Sequence, residues 1–279
     1  MDLVIQAPHL APDDVDALVA LTGADGVEPL LRAGNDACRL HDIESDRGVA
    51  EACAAVGYDF ARVDPSQTLA RVRAVAMDMD STLITIECVD EIADAQGIKA
   101  QVAAITERSM RGEIDFADSL RSRVALLAGV HVEALEAIYN DRLRLTSGAT
   151  AMLDAFHAQG TRTLLLSGGF TFFTDRLRDR LGLSMALSNM LEVVDGRLTG
   201  TLTGDMVDAE AKAREVRTAA EAAHAEGGLA IAIGDGANDL PMFAAADVSI
   251  AWRAKPVVRA CATHAIDHCG LDAVLNLFV

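Results

Sequence analysis

The chain has 279 residues, is 51% hydrophobic and 24% charged, and carries a formal net charge of −18. Ordinary globular usage excludes a disordered tail, a collagen-like repeat and a coiled coil. No apolar run nears the roughly 18 residues of a membrane helix, and the acidic balance argues against nucleic acid or anionic membrane as partners.

Length alone suggests about two domains. The start, MDLVIQAPHLAPDD, has no basic stretch ahead of an apolar one, so no export signal is expected and the chain reads as cytoplasmic. Five cysteines, an odd number, fit reduced thiols better than a disulfide framework. Over residues 1–70 the pattern predicts a strand at 3–8, a helix at 12–23, strands in VEPLLRAG and ACRLHDI, a helix at 46–59 and a strand in FARVD. That β-α-β-β-α-β order suggests a small ferredoxin-like α+β unit.

Residues 71–279 read as a second domain built on apolar runs that meet polar residues. AVAM (74–77) leads into Asp78, RTLLL (162–166) into Ser167 and GLAIAIG (228–234) into Asp235, and VSIA (248–251) follows Asp247. Such runs predict parallel strands buried on both faces, with ligands at their carboxyl ends. More than 80 residues separate Asp78 from the next strand, far beyond a minimal crossover. The excess is helical in pattern and predicts a helical cap inserted at about 88–145, closing over the crevice. Near 189–204, MLEVV and RLTGTL flank Asp195-Gly196, a two-residue hairpin signal.

Asp78 and Asp80 stand two apart at the end of a buried strand, where alternation puts both carboxylates on one side. Ser167-Gly168-Gly169 is either a cradle for an anion ahead of a helix or a strand-to-helix turn with a serine cap. Gly234-Asp235-Gly236 forms a tight loop that aims a carboxylate, and Asn238 and Asp239 follow at once. Lys212 stands in VDAEAKAREV before a helical run. In the cap, Phe116, Leu120, Val124 and Leu127 form an apolar stripe, and Arg123 falls in its middle, where a guanidinium needs a partner or a ligand. Glu87 is either a helix-start acid or part of the site. Cys261, His264, His268 and Cys269 have a spacing that could ligate zinc, but THAI reads as a short strand that splays them, so no zinc is expected there.

Taken together these residues resemble the haloacid-dehalogenase-like phosphatases: D-x-D-x-T at Asp78, Asp80 and Thr82, then Ser167, Lys212, and Gly234-Asp235-Gly236 with Asn238 and Asp239. DMDSTLITIECVDEIA, SLRSRVALL, LSGGFTFF and GDGANDLPM are similar to the phosphoserine phosphatases of that family. The resemblance implies a Rossmann-like parallel core with an inserted helical cap and an ACT-like amino-terminal unit. It implies Asp78 as nucleophile and Asp80 as general acid and base. Mg²⁺ would be held by Asp78, the Asp80 carbonyl and Asp235. Ser167, Gly168 and Lys212 would hold phosphoryl oxygens, Asn238 would assist binding, Asp239 would orient Lys212, and Glu87 and Arg123 would meet the ammonium and carboxylate of O-phosphoserine. Met110 and Phe116 match apolar positions near the substrate. The same likeness implies a role in serine biosynthesis, with a homodimer left open. The alternatives are a phosphatase for another phosphorylated amino or hydroxy acid and a phospho-acceptor switch.

Overall fold

The computed structural model describes residues 2–279, apart from the Met110 side chain. The amino-terminal unit comprises β1 (Asp2–Ala7), α1 (Pro12–Thr22), β2 (Gly26–Leu30), β3 (Asp36–His41), α2 (Val49–Val56) and β4 (Asp59–Val63). The elements follow the expected β-α-β-β-α-β succession, and their sheet is antiparallel in the order β2-β3-β1-β4. Pro29 sits in β2, an edge strand, where a missing N–H costs no ladder bond on the open side. Leu3, Ile5 and Leu40 face the helices, burying Leu18 and Cys53. Val4, Leu30, Ala37 and Val63 face the other way, toward the chain's last residue, Val279.

The larger unit opens with β5 (Val72–Met77) and then the helices α3 (Cys88–Ala95), α4 (Lys99–Met110), α5 (Phe116–Ala125) and α6 (Val132–Ala137). An isolated bridge joins Ile84 to Leu145, so the chain leaves for these helices and returns at adjacent points. Next come α7 (Ala149–Ala158), a crossover helix that the sequence pattern did not single out, then β6 (Arg162–Phe170), α8 (Thr171–Leu181), β7 (Met185–Val194) and β8 (Arg197–Thr203). The fold finishes with α9 (Ala209–Ala225), β9 (Leu229–Gly234), α10 (Leu240–Ala245), β10 (Val248–Trp252), α11 (Pro256–Arg259), β11 (His264–Ile266) and a buried 3₁₀ segment, Leu271–Leu277. The seven-stranded sheet runs β11-β10-β9-β5-β6-β7-β8, parallel except at β7-β8.

Alternation sets the two faces of this sheet. Val75, Met77, Ile231 and Ile233 pack on one side with Phe156 and Trp252. Ala74, Ala76, Ala230 and Ala232 line the other, against Ala219, Ala220 and Ala223 of α9. Small side chains on both partners let α9 seat close to the sheet. The predicted hairpin is present: Asp195 and Gly196 both have positive φ (50° and 73°), which suits a turn whose twist matches the strands. β7 is longer than MLEVV because its first half pairs in parallel with β6 before it bends into the hairpin.

His264, on β11, is buried; its Nε2 lies 3.2 Å from the Gln67 amide nitrogen. Burial disfavours the imidazolium and lowers its pKa to about 4. Between about pH 6.5 and 4 the unfolded chain therefore binds more protons, and stability falls with pH by up to about 3 kcal/mol from this group. Urea unfolding at pH 7 and at about pH 4.5 should show a loss that a His264→Gln variant reduces; equal losses in both proteins would assign the acid sensitivity elsewhere.

Candidate active site

The ends of β5 and β9 meet at the carboxyl edge of the sheet beside an irregular stretch of β6: Ser167 does not end its strand, as the apolar run suggested, but lies where the pairing with β7 breaks between Leu166 and Phe170. Asp78 follows β5, and its N–H still bonds to Ile233 O of β9 at 3.0 Å. The strand itself stops at Met77. Extended dihedrals at Asp78 (φ −69°, ψ 160°) and Asp80 (φ −66°, ψ 135°) are followed by Ser81 in the left-handed region (φ 56°). Both carboxylates reach the same pocket, but through a wound loop rather than a longer strand.

That pocket has a volume of about 270 Å³. Asp78, Asp80, Ser167, Gly168, Asp235 and Asn238 line its floor, and Glu87, Phe116 and Arg123 are part of its cap side. Nine residues singled out from the sequence thus face one cavity. Lys212, Asp239 and Thr82 stand behind the floor. The Met110 side chain lies outside the described residues.

Lys212 is in the first turn of α9, inside the helix rather than ahead of it. It is 1% exposed, a burial that a lysine tolerates only when paired. Its Nζ donates to Asp78 Oδ1 and, at 2.9 Å, to Asp239 Oδ1. Burial opposes its charge, yet the two carboxylates prevail and raise its pKa. Asp239 is fully buried and its oxygens are heavily used. Besides Lys212, it accepts from the N–H groups of Asp235 (3.1 Å) and Gly236 (3.0 Å) and from Asn238 Nδ2 (3.3 Å). A Cβ at Gly234 would come within 2.3 Å of Asp239 Oδ2, so only glycine permits this approach.

Burial is the main cause of unusual acidity here. It raises Asp78 well above the carboxylate range, with Lys212 pulling the other way. It raises Asp80 to about 7, helped by the negative charge of Glu87, while the N–H of Cys88 (2.9 Å) opposes the shift. It raises Asp235 to about 6, against a bond from Thr82 Oγ1 at 2.9 Å. Oxygen atoms of Asp78, Asp235 and Asp239 lie within 4.8 Å of one another, a spacing that a hard cation could bridge. Asp239 spends its oxygens on Lys212 and the loop, which leaves Asp78 and Asp235 as the carboxylates with capacity to spare.

Ser167 is buried at 1% exposure and does not cap the following helix, whose cap residue is Phe170. Its Oγ accepts from Gly169 N at 2.8 Å, leaving its own proton free to donate. Across the pocket, Glu87 Oε1 accepts from Ser81 Oγ at 2.6 Å, and burial raises the Glu87 pKa. Arg123 is lowered by burial against the pull of Asp90, Glu87 and Asp80, and its buried Nε has no hydrogen-bond partner among the described residues. A buried guanidinium N–H with no partner beside a cavity can donate to an anion.

Sequence reasoning missed Asn189 of β7. Its Nδ2 donates to Gly168 O (3.0 Å) and Val207 O (3.2 Å), and its Oδ1 accepts from Val207 N (2.8 Å). One buried amide thus ties the Ser167–Gly169 stretch of β6 to the segment that leads to Lys212. The only local signal was a polar residue inside an apolar run. A wider groove of about 640 Å³ includes Arg62, Arg259 and His268 in its walls. Its arginines are already paired, Arg62 with Asp46 and Arg259 with Asp267.

Residues 75–244 match the family model of the haloacid dehalogenase-like hydrolases, and 3–47 match a domain of unknown function. A phosphoserine phosphatase from a Polaromonas species is 52% identical over 218 residues, covering 76% of this chain and 92% of that protein. The chain belongs to the haloacid dehalogenase-like hydrolases, among the phosphoserine phosphatases. Two solved structures extend the likeness of this family member. A HAD family hydrolase from Salmonella enterica serovar Typhi superposes with a TM-score of 0.87 at 31% identity, covering 100% of this chain and 99% of that one. A phosphoserine phosphatase solved as a phospho-aspartyl intermediate analogue gives 0.67 at 34% identity, covering 75% and 100%. The first includes the amino-terminal unit; no helix of the described residues is long and apolar enough to cross a membrane.

Proposed function

We propose that this hydrolase cleaves O-phospho-L-serine to L-serine and phosphate with Mg²⁺, through an aspartyl-phosphate on Asp78, as the last step of serine biosynthesis in the cytoplasm. The observation that carries the reading is one small pocket with two complementary walls. Ser167, Gly168 and, behind Asp78, Lys212 suit a phosphoryl group, while Glu87 and the unsatisfied Arg123 suit an ammonium and a carboxylate. Phosphoserine carries these three charges on one amino-acid frame. The family resemblance and the solved phospho-aspartyl analogue of a relative support the same assignment.

In this reading a carboxylate oxygen of Asp78 bonds to phosphorus as the bond from phosphorus to the serine oxygen breaks. Asp80, raised to about 7, holds a proton near neutral pH and gives it to that oxygen. Asp80 then takes a proton from the water whose oxygen attacks phosphorus, and Asp78 departs as a carboxylate. Lys212, fixed by Asp239, and the Ser167 hydroxyl and Gly168 N–H hold the phosphoryl oxygens, while Asn238 assists binding. Asp78, Asp235 and the Asp80 carbonyl would hold the metal, which supplies positive charge against the phosphoryl group and favours the ionised carboxylates. The cap excludes water from the pocket.

The test is phosphate release from L-phosphoserine with and without EDTA, beside a panel of other phosphate monoesters. Release should fall at least about 100-fold in EDTA, return on adding Mg²⁺, and favour phosphoserine. Undiminished release in EDTA would remove the metal from the reading. Preference for another phosphorylated amino or hydroxy acid would change the substrate.

A further inference from the structure

Thr146 lies outside the pocket, on the strand of chain that returns from the cap, and is 7% exposed. Its Oγ1 donates to Thr82 O at 2.6 Å, and its N–H donates to Leu83 O at 3.0 Å. Thr82 in turn donates its own hydroxyl to Asp235 Oδ1 at 2.9 Å. The loop between Met79 and Leu83 lacks regular helical dihedrals at Asp80 and Ser81, so its peptide planes depend on such outside contacts. Thr146 itself is anchored from behind. Leu271 N donates to Ser147 O at 2.8 Å, and the adjoining Asp272 accepts from Gly34 N and from Asn35 Nδ2 of the amino-terminal unit.

We propose that Thr146 is a positioning residue for the divalent-metal site: its hydroxyl fixes the Thr82 peptide, and Thr82 fixes the Asp235 carboxylate. The inference rests on the metal reading above. Losing the Thr146 hydroxyl frees the Thr82 carbonyl to turn, which lets Thr82 Oγ1 drift from Asp235 and leaves that carboxylate less ordered before a cation arrives. Outer contacts that orient ligands commonly change metal affinity about 10- to 100-fold when removed. Among the described residues no hydrogen bond joins Thr146 or the Thr82 hydroxyl to Glu87 or Arg123; Glu87 is held instead by Ser81 Oγ, so recognition of the amino-acid part of the substrate uses other contacts.

The experiment compares wild type, Thr146→Val and Thr146→Ser, first by calorimetric titration of the metal-free proteins with Mg²⁺ and then by kinetics at saturating Mg²⁺. Thr146→Val keeps the shape and removes the donor; melting in EDTA establishes that it folds. It should bind Mg²⁺ about 10-fold more weakly, with KM for phosphoserine within about threefold of wild type, and Thr146→Ser should restore most of the affinity. Wild-type Mg²⁺ affinity in Thr146→Val overturns the proposal, as does a Ser variant as impaired as Val. A variant that unfolds in EDTA leaves the decision to Thr146→Ser, which retains the donor: weakened binding there also overturns it. Absence of Mg²⁺ binding by wild type would instead sink the metal reading itself.

Discussion

Asp78→Asn is expected to remove phosphoserine turnover, by at least about 10⁴-fold in kcat, a loss of the size seen when a nucleophile is deleted. The amide is nearly isosteric, and its oxygen still accepts from Lys212, whose second carboxylate, Asp239, keeps the buried ammonium paired. Melting temperature therefore separates chemistry from folding: it should stay within a few degrees of wild type while turnover vanishes. Should Asp78→Asn retain more than about a hundredth of the activity, Asp78 cannot be forming the bond to phosphorus.

Arg123→Ala carries the second large effect. The guanidinium borders the pocket with an unpartnered Nε, so its deletion leaves no buried carboxylate of the protein stranded beyond those it attracts at longer range. Losing one desolvated charged partner of a ligand costs roughly 2–5 kcal/mol. We expect kcat/KM for phosphoserine to fall roughly 10²-fold or more, and p-nitrophenyl phosphate, which has no carboxylate, to change only several-fold. Arg123→Lys should recover part of the loss, since an ammonium restores charge but not the two-pronged geometry. Equal losses on both substrates would contradict a role for Arg123 in reading the amino acid.

The parts of this fold that the sequence displays are those with local periodicity. Apolar runs ending in Asp78, Ser167 and Asp235 announce buried parallel strands, and Asp195-Gly196 announces its hairpin. The D-x-D spacing does bring Asp78 and Asp80 to one pocket, but strand β5 has already ended and a wound loop, not strand alternation, carries Asp80 there. Helix α7 was harder to see: ATAMLDAFHA follows the cap helices with no change of composition. Lys212 reads as a solvated lysine until the alanines of α9 and the sheet show how closely the helix seats. Asn189 and Thr146 work on partners in other segments, and Thr146 meets Thr82 across 64 residues of chain, a distance at which no local pattern exists. Burial is the first cause of the raised Asp80 pKa, and the charge that adds to it belongs to Glu87, brought near by the turn into the cap.

The most direct test is to quench wild-type enzyme during turnover of phosphoserine, reduce with borohydride, and map the digest by mass spectrometry. An acyl-phosphate on Asp78 would be converted to homoserine at that position, and Asp78→Asn, treated alike, would show none. Reduction at another carboxylate, or an unmodified Asp78 peptide in samples quenched across the whole time course, would contradict the account.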